Sequence, residues 1–225
     1  MACNSGPDII EDGLVLCLDA ANINSYPKSG TTWSDLNKNL DVTLENGPTF
    51  SSSNRGVLQF DGTDDSGRIV GPIGISGNDS RTVGIWVFPV SVGNNKGIFE
   101  MGYAGGSANH FAVEGSNASY LTFNGWSADF NFAYEGQNKW QYICITHDGS
   151  TTKAYVNGEF RNSRSGTLNT SITNDQTNSG YGLSLSVCRG SSRSASTIAL
   201  FHINNIAFTQ RQILQNYQAT LGRFI

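Results

Sequence analysis

Two glycine turns nine residues apart constrain this chain more than any other feature. Asp148-Gly149 and Asn157-Gly158 interrupt a stretch of short apolar runs from Trp140 to Phe160. Asp-Gly and Asn-Gly supply the positive φ angles of tight turns whose twist matches that of paired strands, so the stretch reads as a three-strand meander. The same punctuation recurs along the chain. Strands are expected over residues 14–19, 57–61, 82–88, 97–101, 110–114, 120–123, 130–134, 140–146, 153–156, 183–188 and 198–204, separated by Gly, Asn, Asp and Ser. With 26 glycines and 66 Ser, Thr and Asn among 225 residues, a helical bundle is excluded. One helix is expected near the end. Thr209 caps it, Gln212 completes a capping box, and Ile213, Leu214, Tyr217 and Leu221 form its docking stripe. Residues 51–53, 162–178 and 191–196 read as exposed polar loops. The expected organisation is an N-terminal arm, residues 1–12, and one sandwich domain, residues 13–225.

Lys and Arg number 14 against 18 Asp and Glu, a net charge of -4, with no basic run. Neither nucleic acid nor an anionic membrane is an expected partner. The longest apolar run, Leu14 to Leu18, is far too short to cross a bilayer, and the first residues lack the features of a secretory signal. Synthesis and retention in a cytoplasm are therefore expected. Cys3, Cys17, Cys144 and Cys188 follow no metal or redox spacing, which predicts reduced thiols packed as small apolar residues. His110, His147 and His202 stand in neither an HExxH nor a GxSxG context. Asp19, Asp35 and Asp61 read as caps of loops, and Trp86, Trp140 and Tyr155 as packing residues.

Four blocks together resemble the concanavalin A-like lectin/glucanase superfamily, in particular the laminin-G-type jelly-roll domains of tailed-phage virion proteins. They are residues 13–20 with 29–36, residues 58–65, the meander Trp140-Gln141-Tyr142-Ile143 through Tyr155-Val156-Asn157-Gly158, and residues 198–203 through Phe208-Thr209 to Asn216-Tyr217. The resemblance implies an all-β, two-sheet antiparallel jelly-roll sandwich with a short C-terminal helix, in which the strands at Leu14 and Ile198 pair. It also implies a non-enzymatic structural protein of a virion, as a head decoration, head-fibre or tail-fibre component. Such a protein would be present in many copies or as a homo-oligomer, bound to other capsid or tail proteins. The glucanases of the superfamily carry catalytic carboxylates at alternate positions of one strand. Hydrolysis needs two such groups flanking the scissile bond, and here Glu100, Glu114, Asp129 and Glu135 are isolated in sequence. No enzyme and no cofactor are expected.

Three sets of residues remain as candidate sites. Asp61, Asp64 and Asp65 crowd carboxylates into a Gly-containing loop, which suits either a solvated turn or a calcium ion. The resemblance adds to the calcium option, because laminin-G-type domains often carry the ion at the sandwich rim. Trp126, Tyr103 and Tyr134, with Asn124, combine aromatic faces with amide hydrogen bonding, the chemistry of a carbohydrate site used in adsorption to a host surface. The same aromatics could equally cover a sheet face or anchor a neighbouring subunit. Cys3, Pro7, Ile9 and Ile10 give the N-terminal arm apolar anchors for a virion partner, and residues 162–178 are a second docking element.

Overall fold

The computed structural model describes residues 8–102, 105–172 and 181–225; Cys3, Pro7 and Tyr103 lie outside them. Two antiparallel sheets pack face to face. The eight-stranded sheet runs β14 (Glu159–Ser165), β13 (Thr151–Val156), β12 (Gln141–His147), β7 (Arg81–Ser91), β18 (Ala195–Asn204), β5 (Val57–Asp61) and β4 (Thr49–Ser51), with β1 (Leu14–Asp19) also paired to β18. The ten-stranded sheet runs β11 (Phe130–Ala133), β10 (Tyr120–Asn124), β9 (His110–Gly115), β8 (Gly97–Gly102), β15 (Leu183–Leu185), β6 (Ser66–Ile69), β3 (Val42–Glu45) and β2 (Thr32–Trp33). A hairpin of β16 (Val187–Cys188) and β17 (Ser192–Arg193) lies beside β8.

The period-2 alternation of the sequence explains the layering. Val83, Ile85 and Val87 of β7 and Ile143 and Ile145 of β12 face Phe99, Met101, Phe111, Val113, Leu121 and Phe123 of the other sheet in one continuous core. The intervening residues of the eight-stranded sheet, Trp86, Tyr142, Cys144 and Leu200, form a second apolar layer on its outer side with Ile213 of helix α1 (Gln210–Leu221). The meander is present between β12 and β14. Asn157 and Gly158 both adopt positive φ, 55° and 83°, whereas in the other turn only Gly149 does and the Asp148 carboxylate caps Ser150 and Thr151.

The expected pairing of β1 with β18 is present, with Leu18 opposite Phe201, although β18 is an interior strand. Helix α1 has the Thr209–Gln212 capping box. Ile213, Tyr217 and Leu221 of its expected docking stripe pack on the second layer, whereas Leu214 does not. Ile213 is fully buried and Asn216 nearly so, while Leu214 is 38% exposed, because one residue of helix turns a side chain by about 100° away from its neighbour. Trp86 donates its indole N–H to Thr220 Oγ1 at 2.6 Å, and the Phe224 ring stacks on Trp86 at 4.0 Å. Three polar stretches expected to be loops contain strand: β14 takes residues 162–165, β4 ends at Ser51, and within 191–196 lie β17 and the start of β18. Strands β2, β3, β4 and β6 were not expected at all, being too short or too polar to show an apolar alternation.

Candidate functional site

Residues directly opposite one another on antiparallel strands share a sheet face. The register of the ten-stranded sheet therefore defines one row on its outer side: Thr43, Arg68, Ser184, Glu100, Ala112 and Asn124, each opposite the next. His110 and Glu114 flank Ala112 two residues away on β9 and share its face. The small Ala112 side chain leaves room for the longer groups around it to converge.

The His110 ring lies between Glu100 Oε2, 3.1 Å from Nε2, and Asn124 Oδ1, 3.4 Å from Nδ1. Asn124 donates from Nδ2 to Glu114 Oε1 at 3.0 Å, and Arg189 donates from Nη2 to the same oxygen at 2.6 Å. The backbone N–H of Arg189 donates to Glu100 Oε2 at 2.7 Å. Arg189 reaches in from the β16–β17 turn, where its own φ is 53° and that of Gly190 is 73°. Arg68 braces this turn by donating to the Gly190 carbonyl while ion-paired to Glu45 and lying over the Tyr181 ring. Glu100 and His110 are completely buried and Glu114 is 2% exposed. Among the described residues, Glu100 Oε1, Glu114 Oε2 and Arg189 Nε have no hydrogen-bond partner. Burial, reinforced by the charges of Glu100 and Glu114, pushes the Cys188 thiol well above its usual pKa.

Trp126 sits at the edge of this cluster. It follows β10 with φ of 53°, and Ser127 has φ of 70°, so two consecutive non-glycine residues occupy the left-handed region. The turn is held by the Trp126 N–H donating to Asn124 Oδ1 at 2.8 Å and the Trp126 carbonyl accepting from Ala108 at 2.7 Å. The indole stays half-buried, with the Arg189 guanidinium 5.5 Å from its ring centroid. Trp126 and Asn124 thus meet in one place, with Asn124 as the group that orients the tryptophan turn.

Tyr134 does not join them. It is 8% exposed and packed in the main core, so its ring offers no face to a ligand, a correction to its expected role. Tyr134 follows β11 in phase with the buried Phe132, which carries the ring inward. Glu100 and Glu114, isolated in sequence, are brought together by the β8–β9 register, and Arg189 joins them from far along the chain. The available signal was that Glu100, His110, Glu114 and Asn124 all occupy the polar phase of their strands.

The carboxylates of Asp61, Asp64 and Asp65 do cluster, with ligand atoms within 4.8 Å of one another. Asp61 Oδ1 accepts from the Thr63 and Asp64 N–H groups, and Asp65 Oδ2 accepts from the Asp61 N–H. The Thr63 N–H in particular holds the Asp61 carboxyl below its usual pKa, while burial raises that of Asp65. Calcium takes 6–8 oxygen ligands. Two of the six carboxylate oxygens accept from the backbone, so the three residues form a self-capped turn that still gathers acidic oxygens in one place. In the arm, Ile9 and Ile10 are half-buried. Ile10 donates its N–H to Asn216 Oδ1 at 2.8 Å and packs on the layer beneath α1, and Gln215 donates to the Asp8 carbonyl.

The model of a family described as the concanavalin A-like lectin/glucanases superfamily matches residues 61–214. Among curated proteins, none matches the sequence. The chain is similar in structure to domain 4 of AbnA, an extracellular arabinanase from Geobacillus stearothermophilus solved with arabinotriose, with a TM-score of 0.69, 16% identity, and 91% of this chain and 98% of that one covered. It is similar to the botulinum neurotoxin serotype D ligand binding domain solved with N-acetylneuraminic acid, with a TM-score of 0.67, 14% identity and coverages of 92% and 51%. It is also similar to Trypanosoma rangeli sialidase, with a TM-score of 0.67, 14% identity and coverages of 94% and 33%. The chain thus spans nearly all of the arabinanase domain but half of the toxin domain and a third of the sialidase. At these identities the likeness is one of fold.

Proposed function

The chain belongs to the concanavalin A-like lectin/glucanases superfamily, and from that premise we propose that it is a non-catalytic module that binds glycans on the outer face of its ten-stranded sheet. The observation that carries this reading is Trp126, a half-buried indole held in a left-handed turn at the rim of a convergent polar cluster. Sugars stack their apolar faces on such rings while nearby polar groups bond their hydroxyls. Two structural neighbours were solved with a saccharide bound, which adds support at the level of fold. The state of Glu100 and Glu114 supports the non-catalytic part of this reading. Both are buried, Glu114 bonded to the Arg189 guanidinium and Glu100 to the Arg189 backbone N–H and the His110 ring, so neither carboxylate is presented on the surface.

Glycan-array binding by the intact chain is the test. Trp126→Ala should weaken any array signal by about tenfold or more, the loss of roughly 1.4 kcal/mol, and Trp126→Phe should retain much of it. Equal binding by Trp126→Ala would refute the site.

A structural subunit of a phage virion, in many copies and in contact with other virion proteins, is the second reading, and the two are compatible. It is favoured by a surface with little charge to desolvate and by Phe160 and Leu214, 48% and 38% exposed on the neighbouring elements β14 and α1. Deleting residues 2–8 should leave the fold intact and abolish incorporation into particles; normal incorporation would refute the arm as the docking element.

A further inference from the structure

We propose that the Trp126 site selects glycans that carry a free, protonated amino group, and that Arg189 holds the place of that amine when no ligand is bound. The inference rests on the glycan-binding reading and deepens it.

The Arg189 guanidinium makes the two contacts that an alkylammonium ion seeks. It lies over the Trp126 ring and it donates to the Glu114 carboxylate. Its side chain is also the solvent-facing member of the cluster, 30% exposed against 3% for Glu114 and none for Glu100. Its backbone N–H, bonded to Glu100, can stay in place while the side chain swings out. What it leaves behind is rich in acceptors. Two carboxylates converge there, and Glu100 Oε1 and Glu114 Oε2 have no partner among the described residues even with Arg189 seated. A neutral sugar hydroxyl gives one proton to such a site. An ammonium group gives three together with its charge, whereas an acidic sugar would meet two carboxylates at close range. The selectivity that follows is amine over N-acetyl over carboxylate.

The probes are a β-1,4-linked glucosamine tetramer and its fully N-acetylated counterpart, titrated against the intact chain by tryptophan fluorescence and calorimetry in buffer acidic enough to protonate the amines. The free-amine tetramer should bind at least about tenfold more tightly and more weakly as salt rises. Glu114→Gln should remove that preference. Arg189→Ala should tighten amine binding, because the competing side chain is gone. Equal or tighter binding of the N-acetylated tetramer overturns the inference, as does weaker amine binding by Arg189→Ala, which would make Arg189 a ligand contact. If Glu114→Gln is unfolded by circular dichroism, the wild-type comparison and Arg189→Ala decide alone. Binding of neutral glycans without amine preference would sink this inference and leave the glycan-binding reading standing; binding of no glycan at all would remove both.

Discussion

Lowering the pH should destabilise the fold through His202, and the size of the effect can be worked from its surroundings. His202 lies on β18, 4% exposed, with Nδ1 2.8 Å from Asn204 Oδ1 and Nε2 2.6 Å from the Tyr142 hydroxyl. Asn204 donates from its amide nitrogen to the Asp12 carbonyl, so its oxygen faces the ring. Nδ1 therefore carries the proton, and Nε2 accepts from the tyrosine. This is the neutral imidazole, and burial lowers its pKa from 6.5 to about 4. The unfolded chain then binds the proton more readily than the folded one. The stabilising contribution is complete above the unfolded pKa and is lost as the pH falls through 6.5 toward 4. Going from about pH 7 to pH 5 should cost about 2 kcal/mol at this one site, and about 3 kcal/mol below the folded pKa. His147, also lowered to about 4 by burial with the Arg81 charge adding, acts in the same direction. Urea denaturation at the two pH values measures the loss, and His202→Gln should reduce the difference between them by about 2 kcal/mol whatever its effect at neutral pH. A wild type equally stable at both values, or an unchanged difference in the variant, would refute the assignment of a buried neutral imidazole.

Ile213→Ala should destabilise the protein by about 2–4 kcal/mol, whereas Leu214→Ala on the exposed side of α1 should cost less than about 1 kcal/mol; equal effects in thermal melts would mean the helix docks by a different face. Native-state thiol titration should find Cys17, Cys144 and Cys188 unreactive, since all three are buried and burial raises their pKa values, that of Cys17 to about 12. Calcium and a chelator should give the same melting temperature, because the Asp61–Asp65 turn caps itself; a calcium-dependent rise that Asp64→Asn abolishes would show an ion bound there.

What the sequence made legible was whatever is local. Asn157-Gly158 specifies its turn through backbone conformation alone, and Thr209 with Gln212 specifies a helix start through two reciprocal bonds. The long strands announced themselves by alternation. Strand β14, Glu-Phe-Arg-Asn-Ser-Arg-Ser, is an edge with almost every residue exposed, so it has no apolar face to declare itself. Strand β6 puts Ser66 and Arg68 on the outer polar face and looks like a turn in isolation. The candidate site was half legible. Trp126 and Asn124 are two residues apart and their turn is local chemistry. The Glu100–Glu114 convergence depends on a register, Glu100 opposite Ala112, that a one-residue slip would invert, and Arg189 depends on a contact spanning 75 residues.

The arm and helix α1 share a polarity that bears on how the molecule can be displayed. Ile10 and Asn216 are bonded to each other, and Phe224 stacks on Trp86, so both ends of the described chain lie over the outer side of the eight-stranded sheet. Trp126 and its polar row occupy the outer side of the opposite sheet. A copy immobilised through either end therefore turns its Trp126 face away from the support. In an array, every copy would aim the same way, and a surface bearing repeated sugars would meet many weak contacts at once, each raising the effective concentration for the next. Coupling the protein to beads through one end should give stronger retention on a glycan-coated surface than coupling through random lysines, with no change in the affinity of a single copy.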